Sequence, residues 1–133
     1  MTSIFSKIIA GEIPSTKLHE DDTCIVILDL YPNHKGHALV IPKKECETML
    51  ECPEEILSHL IVIAKRVAQK QIEVLKCDGF NLTVNNKPAA GQEVPHLHLH
   101  VIPRYQNDGY KHAFGKEQYA EGEMQKYGEM LHL

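Results

Sequence analysis

The sequence predicts an α+β domain in which an antiparallel sheet of about five strands is combined with one long helix and a short N-terminal helix. Three observations lead to this class. Residues 53–79 carry apolar residues at three- and four-residue steps, which is the helical period. The segments around them are short, β-branched and bounded by Pro, Gly or Asn, as strands are. Two of these strands have too short a link for a parallel crossover.

The first element is a short helix in "FSKIIAGEIP". Phe5, Ile8 and Ile9 share one face of it, Gly11 can end it, and Pro14 prevents its continuation. The next segment, "TCIVILDL", is a strand that ends near Asp29. The turn "YPNHKG" follows, and "HALVIP" is the second strand of an antiparallel hairpin.

The long helix occupies "PEEILSHLIVIAKRVAQKQIEVLKCDG". Pro53 suits its first turn, Glu54 and Glu55 suit the positive end of the helix dipole, and Gly79 supplies a stop. Its apolar face comprises Ile56, Leu57, Leu60, Ile61, Ala64, Val67, Ala68 and Ile72. The chain then continues with the strand "FNLTVNN", the loop "KPAAGQ" and the strand "HLHLHVIP". A last helix is expected in the tail, through Met124, Tyr127, Met130 and Leu131.

Length and composition set further limits on the class of protein. A chain of 133 residues suits one domain, 1–133. The net charge of −4 argues against a general or sequence-specific nucleic-acid binder. No apolar run is long enough to cross a bilayer, and the N-terminus does not resemble a signal peptide. We therefore expect a soluble, cytoplasmic protein whose four cysteines, none in a C-x-x-C pair, are free thiols.

Three histidines alternate with aliphatic residues in "HLHLHVI". Because side chains alternate along a strand, His96, His98 and His100 share one face, and the aliphatic residues pack the core from the other. Three interpretations are open at this point: a half-buried strand without special function, a metal site, or nucleophilic catalysis. The outer two histidines would lie about 13 Å apart at the backbone, which disfavours a single metal centre. A neutral imidazole attacks phosphorus well when its other nitrogen is held by a hydrogen bond.

The sequence resembles the histidine triad (HIT) family, whose signature is His-x-His-x-His followed by two apolar residues. The segments "SIFSKIIAGEIPSTKLHEDD", "ILDLYPNHKGHALVIPK" and "NLTVNNKPAAGQEVPHLHLHVIPR" match the family in order, over about residues 3–105. The branch that it resembles most is that of the Hint-like adenosine phosphoramidate hydrolases. The segment "VIPR" is also similar to the Fhit-type diadenosine polyphosphate hydrolases.

The resemblance implies a role for each matched residue. His98 would be the nucleophile at the α-phosphate of a purine nucleotide, forming a nucleotidyl-histidine that water cleaves to the nucleoside monophosphate. His96 and His100 would flank it, and His37 would orient it through a hydrogen-bond network. Asp29 would bind the ribose. The implied phosphate and leaving-group contacts come from the loop before the triad, with Asn85, Gly91, Gln92 and Glu93. The implied apolar wall around the base consists of Ile4, Phe5, Ile8, Ile27 and Leu30.

Two departures from the family pattern modify these expectations. Many bacterial members bind a structural zinc with an N-terminal Cys-x-x-Cys and downstream histidines. Here Ser3 and Ser6 stand at the cysteine positions and Glu45 replaces a common His, so we expect no structural metal. Glu93 stands where some members have Ser or Thr, and its charge would disfavour anionic leaving groups.

The resulting hypothesis is a cofactor-free hydrolase or transferase acting on AMP or GMP phosphoramidates, as a homodimer, with residues 106–133 a variable C-terminal extension. The alternatives are a diadenosine polyphosphate hydrolase, a non-catalytic nucleotide-binding regulatory module and a metal carrier. The other histidines are His19, His34, His59, His112 and His132. They have no comparable context and are expected at the surface or in loops.

Overall fold

The structure is a computed structural model that describes residues 3–110 and 114–133; His112 lies outside these ranges. Its helices are α1 (Ile4–Ile9), α2 (Glu54–Lys70) and α3 (Glu123–Leu131). Its strands are β1 (Lys17–Glu20), β2 (Cys24–Leu28), β3 (Ala38–Pro42), β4 (Gly79–Val84) and β5 (Leu99–Arg104). The strands form one sheet in the order β1-β2-β3-β5-β4, with every neighbouring pair antiparallel. The predicted fold class is therefore confirmed.

The sheet separates two apolar clusters. One face packs against α2 through alternate residues of the central strands, including Val26, Val40, Leu99 and Val101, with Leu60 of the helix fully buried against them. The opposite face carries Ile25, Ile27, Leu39 and Ile41, which pack against Phe5 and Ile8 of α1. Alternation along a strand produces this division. As a result, α1 and α2 lie on opposite sides of the sheet.

The long helix ends earlier than the sequence pattern predicts. After α2 the chain makes a π-helical turn, Gln71–Leu75, and Lys76 then adopts a left-handed conformation at φ 58°. Gly79 is the first residue of β4 and does not end the helix. The side chain of Gln71 is buried and donates hydrogen bonds to the backbone oxygens of Gly36 and Val101. This polar side chain ties the end of the helix to the sheet.

Gly36 lies two residues before β3 in a position that favours glycine. Its φ is +97°, and a Cβ atom built there would lie 2.6 Å from Leu75 Cδ1. A side chain at residue 36 would therefore push the Leu75 side chain aside as well as strain the backbone. The glycine lets the chain turn toward β3, and His37 is the one residue between it and the strand.

Strand β1 was not recognisable in the sequence. Its four residues, "KLHE", are mostly polar and largely exposed at the edge of the sheet, so they lack the apolar alternation that marks a half-buried strand. The C-terminal helix lies where the tail pattern places it, and its apolar residues are exposed. None of the helices in the described ranges is long and apolar enough to span a bilayer.

Candidate active site

The histidine segment is only partly a strand, which corrects the prediction for "HLHLHVIP". Strand β5 begins at Leu99, and His96 and His98 precede it in irregular chain. Pairing with β3 stops at Val40 opposite Leu99. Just beyond this point β3 ends at Pro42, which has no N–H to continue the ladder. The backbone N–H of Leu97 instead donates to the Cys46 oxygen at 2.7 Å.

The alternation of side chains persists although the strand does not. Leu97, Leu99 and Val101 are buried in the cluster on the α2 face. The imidazoles lie on the other face, yet they do not project into solvent, because His96 and His98 are only 1% and 8% exposed. The ring of Phe5 on α1 covers both, with centroid distances of 5.9 Å to His96 and 4.9 Å to His98.

Both ring nitrogens of His96 are hydrogen-bonded to the protein. Its Nε2 lies 2.9 Å from the Pro42 oxygen, which can only accept, so Nε2 carries the proton. Its Nδ1 then accepts from the Ser3 hydroxyl at 2.7 Å. His96 has no nitrogen left to bind substrate or transfer a proton. Its position indicates that it holds the segment in place.

His98 has one nitrogen held and one nitrogen unpaired. Its Nδ1 donates to the backbone oxygen of His96 at 2.8 Å, which places the proton on Nδ1 and the lone pair on Nε2. No residue in the described ranges bonds to Nε2. Within those ranges, the one fully buried side-chain N or O atom without a partner is Gln71 Oε1, so Nε2 of His98 is not sealed off by the described residues. This is the tautomer that a nucleophilic imidazole needs.

His37 and His100 form a second hydrogen-bonded pair. The backbone N–H of Asn33 donates to Nδ1 of His37 at 3.1 Å, so the ring proton of His37 is on Nε2. This Nε2–H donates to Nδ1 of His100 at 2.9 Å, which leaves the proton of His100 on its Nε2. His37 was expected to orient His98, and its hydrogen bond goes instead to His100. The ring of His100 lies 4.8 Å from that of His98.

Asp29 lies beside this pair at the end of β2. One of its carboxylate oxygens accepts from the N–H of Tyr31 at 2.9 Å, and the other lies 3.6 Å from His37 Nε2. The donor atoms of Asp29, His37 and His100 are within 4.8 Å of one another and could hold a cation. The two histidines, however, already share one proton in a direct hydrogen bond. The group is therefore better suited to positioning a proton than to binding a metal.

Burial keeps the three inner imidazoles neutral. It lowers the pKa of His37 and of His98 below 6.5, although the carboxylate of Asp29 opposes both shifts. Burial, together with the neighbouring imidazoles of His98 and His37, lowers the pKa of His100 to about 4. Desolvation disfavours the charged form of a histidine. All three rings are therefore uncharged at neutral pH, and the lone pair of His98 is available.

The expected apolar wall is assembled only in part. Phe5, Ile8 and Ile27 lie together in the buried cluster on the histidine face. Ile4 is half exposed and Leu30 is 81% exposed, so neither belongs to the packed cluster. Their contact with a base stays a prediction.

The loop before the histidines has a fixed shape. Gly91 has φ +94°. It lies next to the side-chain amide of Asn85, because a Cβ atom placed on Gly91 would be 3.7 Å from Asn85 Nδ2. The amide of Gln92 is fully engaged, since it accepts from the N–H of Lys87 and donates to the oxygens of Glu47 and Val94. Gln92 thus holds the loop, and its expected phosphate contact would require it to leave these bonds. Glu93 is exposed, and its charge acts to raise the pKa of His98.

The residues at the family's zinc positions form a hydrogen-bond network. The hydroxyl of Ser3 accepts from the Ser6 N–H at 3.0 Å and so caps α1, while it donates to His96. The hydroxyl of Ser6 donates to a carboxylate oxygen of Glu45, and this bond lowers the pKa of Glu45. Hydroxyls are poor zinc ligands, and both nitrogens of His96 are occupied, so this set does not fit a structural zinc.

Sequence reasoning missed the partners of three of the remaining histidines. His34 lies 3.1 Å from a carboxylate oxygen of Asp108, and His19 and His59 both contact Asp21. Each is partly exposed, as expected for the surface. No local pattern could reveal these contacts, because Asp21 and His59 come together only through the packing of α2 on the sheet.

Replacing Ser3 with Ala is expected to lower the free energy of unfolding by about 2 kcal/mol. It removes the cap of α1, worth about 1 kcal/mol, and leaves the buried Nδ1 of His96 without its donor. Urea denaturation measures the change, and Ser58→Ala, at an exposed position in α2, is the matched control. Equal stability of the two variants would contradict the anchoring role of Ser3.

Comparison with known proteins places this geometry in a family. The HIT domain family matches residues 10–107. An uncharacterised HIT-like protein from Methanocaldococcus jannaschii is 46% identical over 85% of this chain and 87% of its own length. Adenylylsulfatase HINT3 from Arabidopsis thaliana is 42% identical over 79% of this chain and 53% of its own length. Adenosine 5'-monophosphoramidase HNT1 from Saccharomyces cerevisiae is 44% identical over 76% of this chain and 61% of its own length.

Solved structures agree with the sequence comparison. A HIT family protein from Bacillus subtilis superimposes with a TM-score of 0.90 at 34% identity, over 98% of this chain and 95% of that one. A histidine triad nucleotide-binding protein from Candida albicans superimposes with a TM-score of 0.86 at 32% identity, over 98% and 94% of the two chains. The overall fold is thus shared with these structures, and the chain belongs to the HIT family.

Proposed function

We propose that this chain hydrolyses purine nucleoside phosphoramidates at the α-phosphorus, with His98 as the nucleophile. The observation that carries the proposal is the state of His98: Nδ1–H is bonded to the His96 oxygen, and Nε2 has no hydrogen-bond partner among the described residues. The names of two relatives, an adenylylsulfatase and an adenosine 5'-monophosphoramidase, support cleavage at an adenylyl phosphorus. This chain spans about half to three fifths of those proteins.

The proposed reaction has two displacements at one phosphorus. Nε2 of His98 attacks the α-phosphorus, the bond from phosphorus to the leaving nitrogen breaks, that nitrogen takes up a proton from solvent and departs as the amine, and a nucleotidyl-histidine forms. Water then attacks the same phosphorus and releases the nucleoside monophosphate. Over the cycle one water is consumed, its hydroxyl ending on phosphorus and its proton on the amine. The positive charge that His98 gains in the first step is partly offset by Asp29, whose charge favours the protonated rings.

His100 is suited to bind the transferring phosphoryl group. The tautomer set by Asn33 and His37 leaves the Nε2–H of His100 as a donor next to His98. A donor aimed at a phosphoryl oxygen stabilises the charge that builds up during transfer. The backbone of the Gly91 loop is the proposed source of further donors.

The preference for amine leaving groups rests on Glu93. Its charge acts on His98, so a leaving group that carries negative charge away from phosphorus would be repelled, whereas an amine would not. A diadenosine polyphosphate releases a highly charged nucleotide. This makes the phosphoramidate the better substrate of the two.

We also propose that the chain forms a homodimer through β4 and the adjoining helix face. Strand β4 is an edge of the sheet, and an unpaired edge invites pairing with another chain. Leu82 pairs with Val101, which belongs to the α2 face, so Phe80 and Leu82 lie on that face as well. Both are more than 40% exposed, as is Ile72 after α2.

Replacing His98 with Ala is expected to abolish turnover while binding of AMP persists. The change removes the nucleophile and leaves the other residues of the proposed nucleotide site in place. Steady-state hydrolysis of an AMP-lysine-type phosphoramidate and calorimetric AMP binding measure the two effects. The wild-type chain should form an adduct on His98, detectable by mass spectrometry after acid-free quenching. Near wild-type turnover by the variant would refute the mechanism.

A substrate panel is expected to show at least a tenfold higher kcat/KM for the phosphoramidate than for diadenosine polyphosphates. The Glu93→Gln variant should narrow this ratio, because it removes the repelling charge. Glu73→Gln, on the π-helical turn, changes the charge equally at a remote position and should leave the ratio unchanged. A wild-type preference for diadenosine polyphosphates would reverse the assignment of substrate.

The acid limb of kcat/KM against pH is expected to have its midpoint below 6.5. The nucleophile must be neutral, and burial lowers the pKa of His98 below its ordinary value, so activity survives to lower pH than for an exposed histidine and falls once His98 is protonated. Asp29→Asn should move the midpoint to still lower pH, because the Asp29 charge raises the pKa of His98. A midpoint above 6.5, or an upward shift in the variant, would contradict this.

Replacing Leu82 with Asp is expected to convert the dimer to a monomer, because it places a charge on the proposed apolar interface. Size-exclusion chromatography with light scattering measures the mass. Leu50→Asp, at a position that is 78% exposed elsewhere, is the matched control. A wild-type chain that is monomeric at micromolar concentration would contradict the proposal.

A further inference from the structure

Four potential metal ligands converge at a second place, away from the triad. They are His19 on β1, Asp21 in the turn that follows, Cys24 at the start of β2 and His59 on α2. We call these four residues the β1–α2 cluster. Cys24 belongs to the core on the α2 face, whereas His98 and His100 lie on the opposite face of the sheet. The cluster is therefore separate from the candidate active site.

Three of the four donor atoms contact the fourth, a carboxylate oxygen of Asp21. Nε2 of His19 lies 2.7 Å and Nε2 of His59 lies 2.8 Å from Oδ2 of Asp21. The thiol of Cys24 donates to the same oxygen at a sulfur–oxygen distance of 3.7 Å. The donor atoms of His19, Asp21 and Cys24 are all within 4.8 Å of one another.

The carboxylate is oriented by the backbone. Oδ1 of Asp21 accepts from the N–H groups of Thr23 at 2.8 Å and Cys24 at 2.9 Å. These bonds shape the turn by themselves, so the two imidazoles and the thiol on Oδ2 are not needed for it. In metal sites, a ligating carboxylate is usually held by hydrogen bonds to other groups. Asp21 is held in the same way through Oδ1, which leaves Oδ2 as the metal-binding atom.

The β1–α2 cluster is buried at Cys24 and open to solvent at the two imidazoles. Cys24 is fully buried, whereas the side chains of His19 and His59 are each 37% exposed and that of Asp21 is 28% exposed. A hydrated cation could enter between the imidazoles and meet the thiol at the bottom. The imidazoles stand on different elements, an edge strand and a helix, and each can turn outward without disturbing the core.

We propose that the β1–α2 cluster binds a divalent cation of the zinc class through Cys24, Asp21 and His19, with His59 as the fourth ligand. A thiolate, two imidazoles and a carboxylate form a donor set that favours such ions over magnesium or calcium. Binding forms four bonds from ligands to the metal, releases the thiol proton of Cys24 to solvent, and leaves each imidazole with its proton on Nδ1 instead of the metal-bound Nε2, with no change of oxidation state.

The distances agree with this ion after a small adjustment. Tetrahedral zinc places nitrogen and oxygen ligands about 3.4 Å apart, and sulfur and oxygen about 3.6 Å apart. The sulfur–oxygen separation already has this value, and each imidazole would move outward by about 0.6 Å. Burial, with the Asp21 charge, raises the pKa of the Cys24 thiol to about 12. A bound dication offsets both effects and stabilises the thiolate.

Titration with Co²⁺ as the probe tests the proposal. The chain is expected to bind one equivalent with a thiolate-to-cobalt charge-transfer band in the near ultraviolet and visible bands typical of tetrahedral cobalt, and Zn²⁺ should abolish both. The group formed by Asp29, His37 and His100 contains no thiol, so cobalt bound there would not give the near-ultraviolet band. Substrate turnover is not measured, so the result is independent of the proposed function.

Matched variants assign the ligands. Cys24→Ser should lose the near-ultraviolet band, and Cys46→Ser, another buried cysteine, should keep it. His19→Asn and His59→Asn should each weaken cobalt binding at least about tenfold, whereas His34→Asn, which loses a histidine paired with Asp108, should not. The two histidine variants decide the question if Cys24→Ser does not fold. The absence of a thiolate band in the wild-type chain, its persistence in Cys24→Ser, or unchanged affinity in both histidine variants would overturn the proposal.

Discussion

The candidate active site depends on the two hydrogen bonds that fix the ring of His96. One goes to the last carbonyl of β3 and the other comes from Ser3 at the start of α1. Together they hold a segment that has no strand partner of its own at this point. The backbone oxygen of His96 is held with it, and this oxygen sets the tautomer of His98. A buried polar group with both partners satisfied is rigid, and losing either partner is costly.

Two chains of hydrogen bonds define the protonation of the whole histidine face. The first runs from Ser3 through His96 to His98 and leaves a lone pair on the exposed nitrogen. The second runs from the Asn33 amide through His37 to His100 and leaves a proton there. Adjacent imidazoles therefore present an acceptor and a donor side by side. Burial maintains this pattern, because it lowers the pKa of His37, His98 and His100 and keeps these three rings neutral.

The sequence permitted the prediction of features that depend on local periodicity. The two-residue alternation of His and Leu around residues 96–101 predicted which side chains face α2, and the three- and four-residue steps predicted α2 itself. It did not permit the prediction of β1, whose residues Lys17–Glu20 carry no apolar alternation. The engagement of Gln92 with three backbone groups could not be predicted either, since those partners lie on loops brought together by the fold.

The histidine beside the N-terminal helix and the histidines of the β1–α2 cluster have different roles because their hydrogen-bond partners differ. At the end of β3, His96 meets hydroxyls and a carbonyl, and its nitrogens are used up in joining α1 to the sheet. Beside β1, His19 and His59 meet a carboxylate and a thiol, and both are partly open to solvent. Neutral partners at the first place satisfy a neutral ring. At the second place one carboxylate and one ionisable thiol lie beside the two rings, and this combination of donors suits a dication.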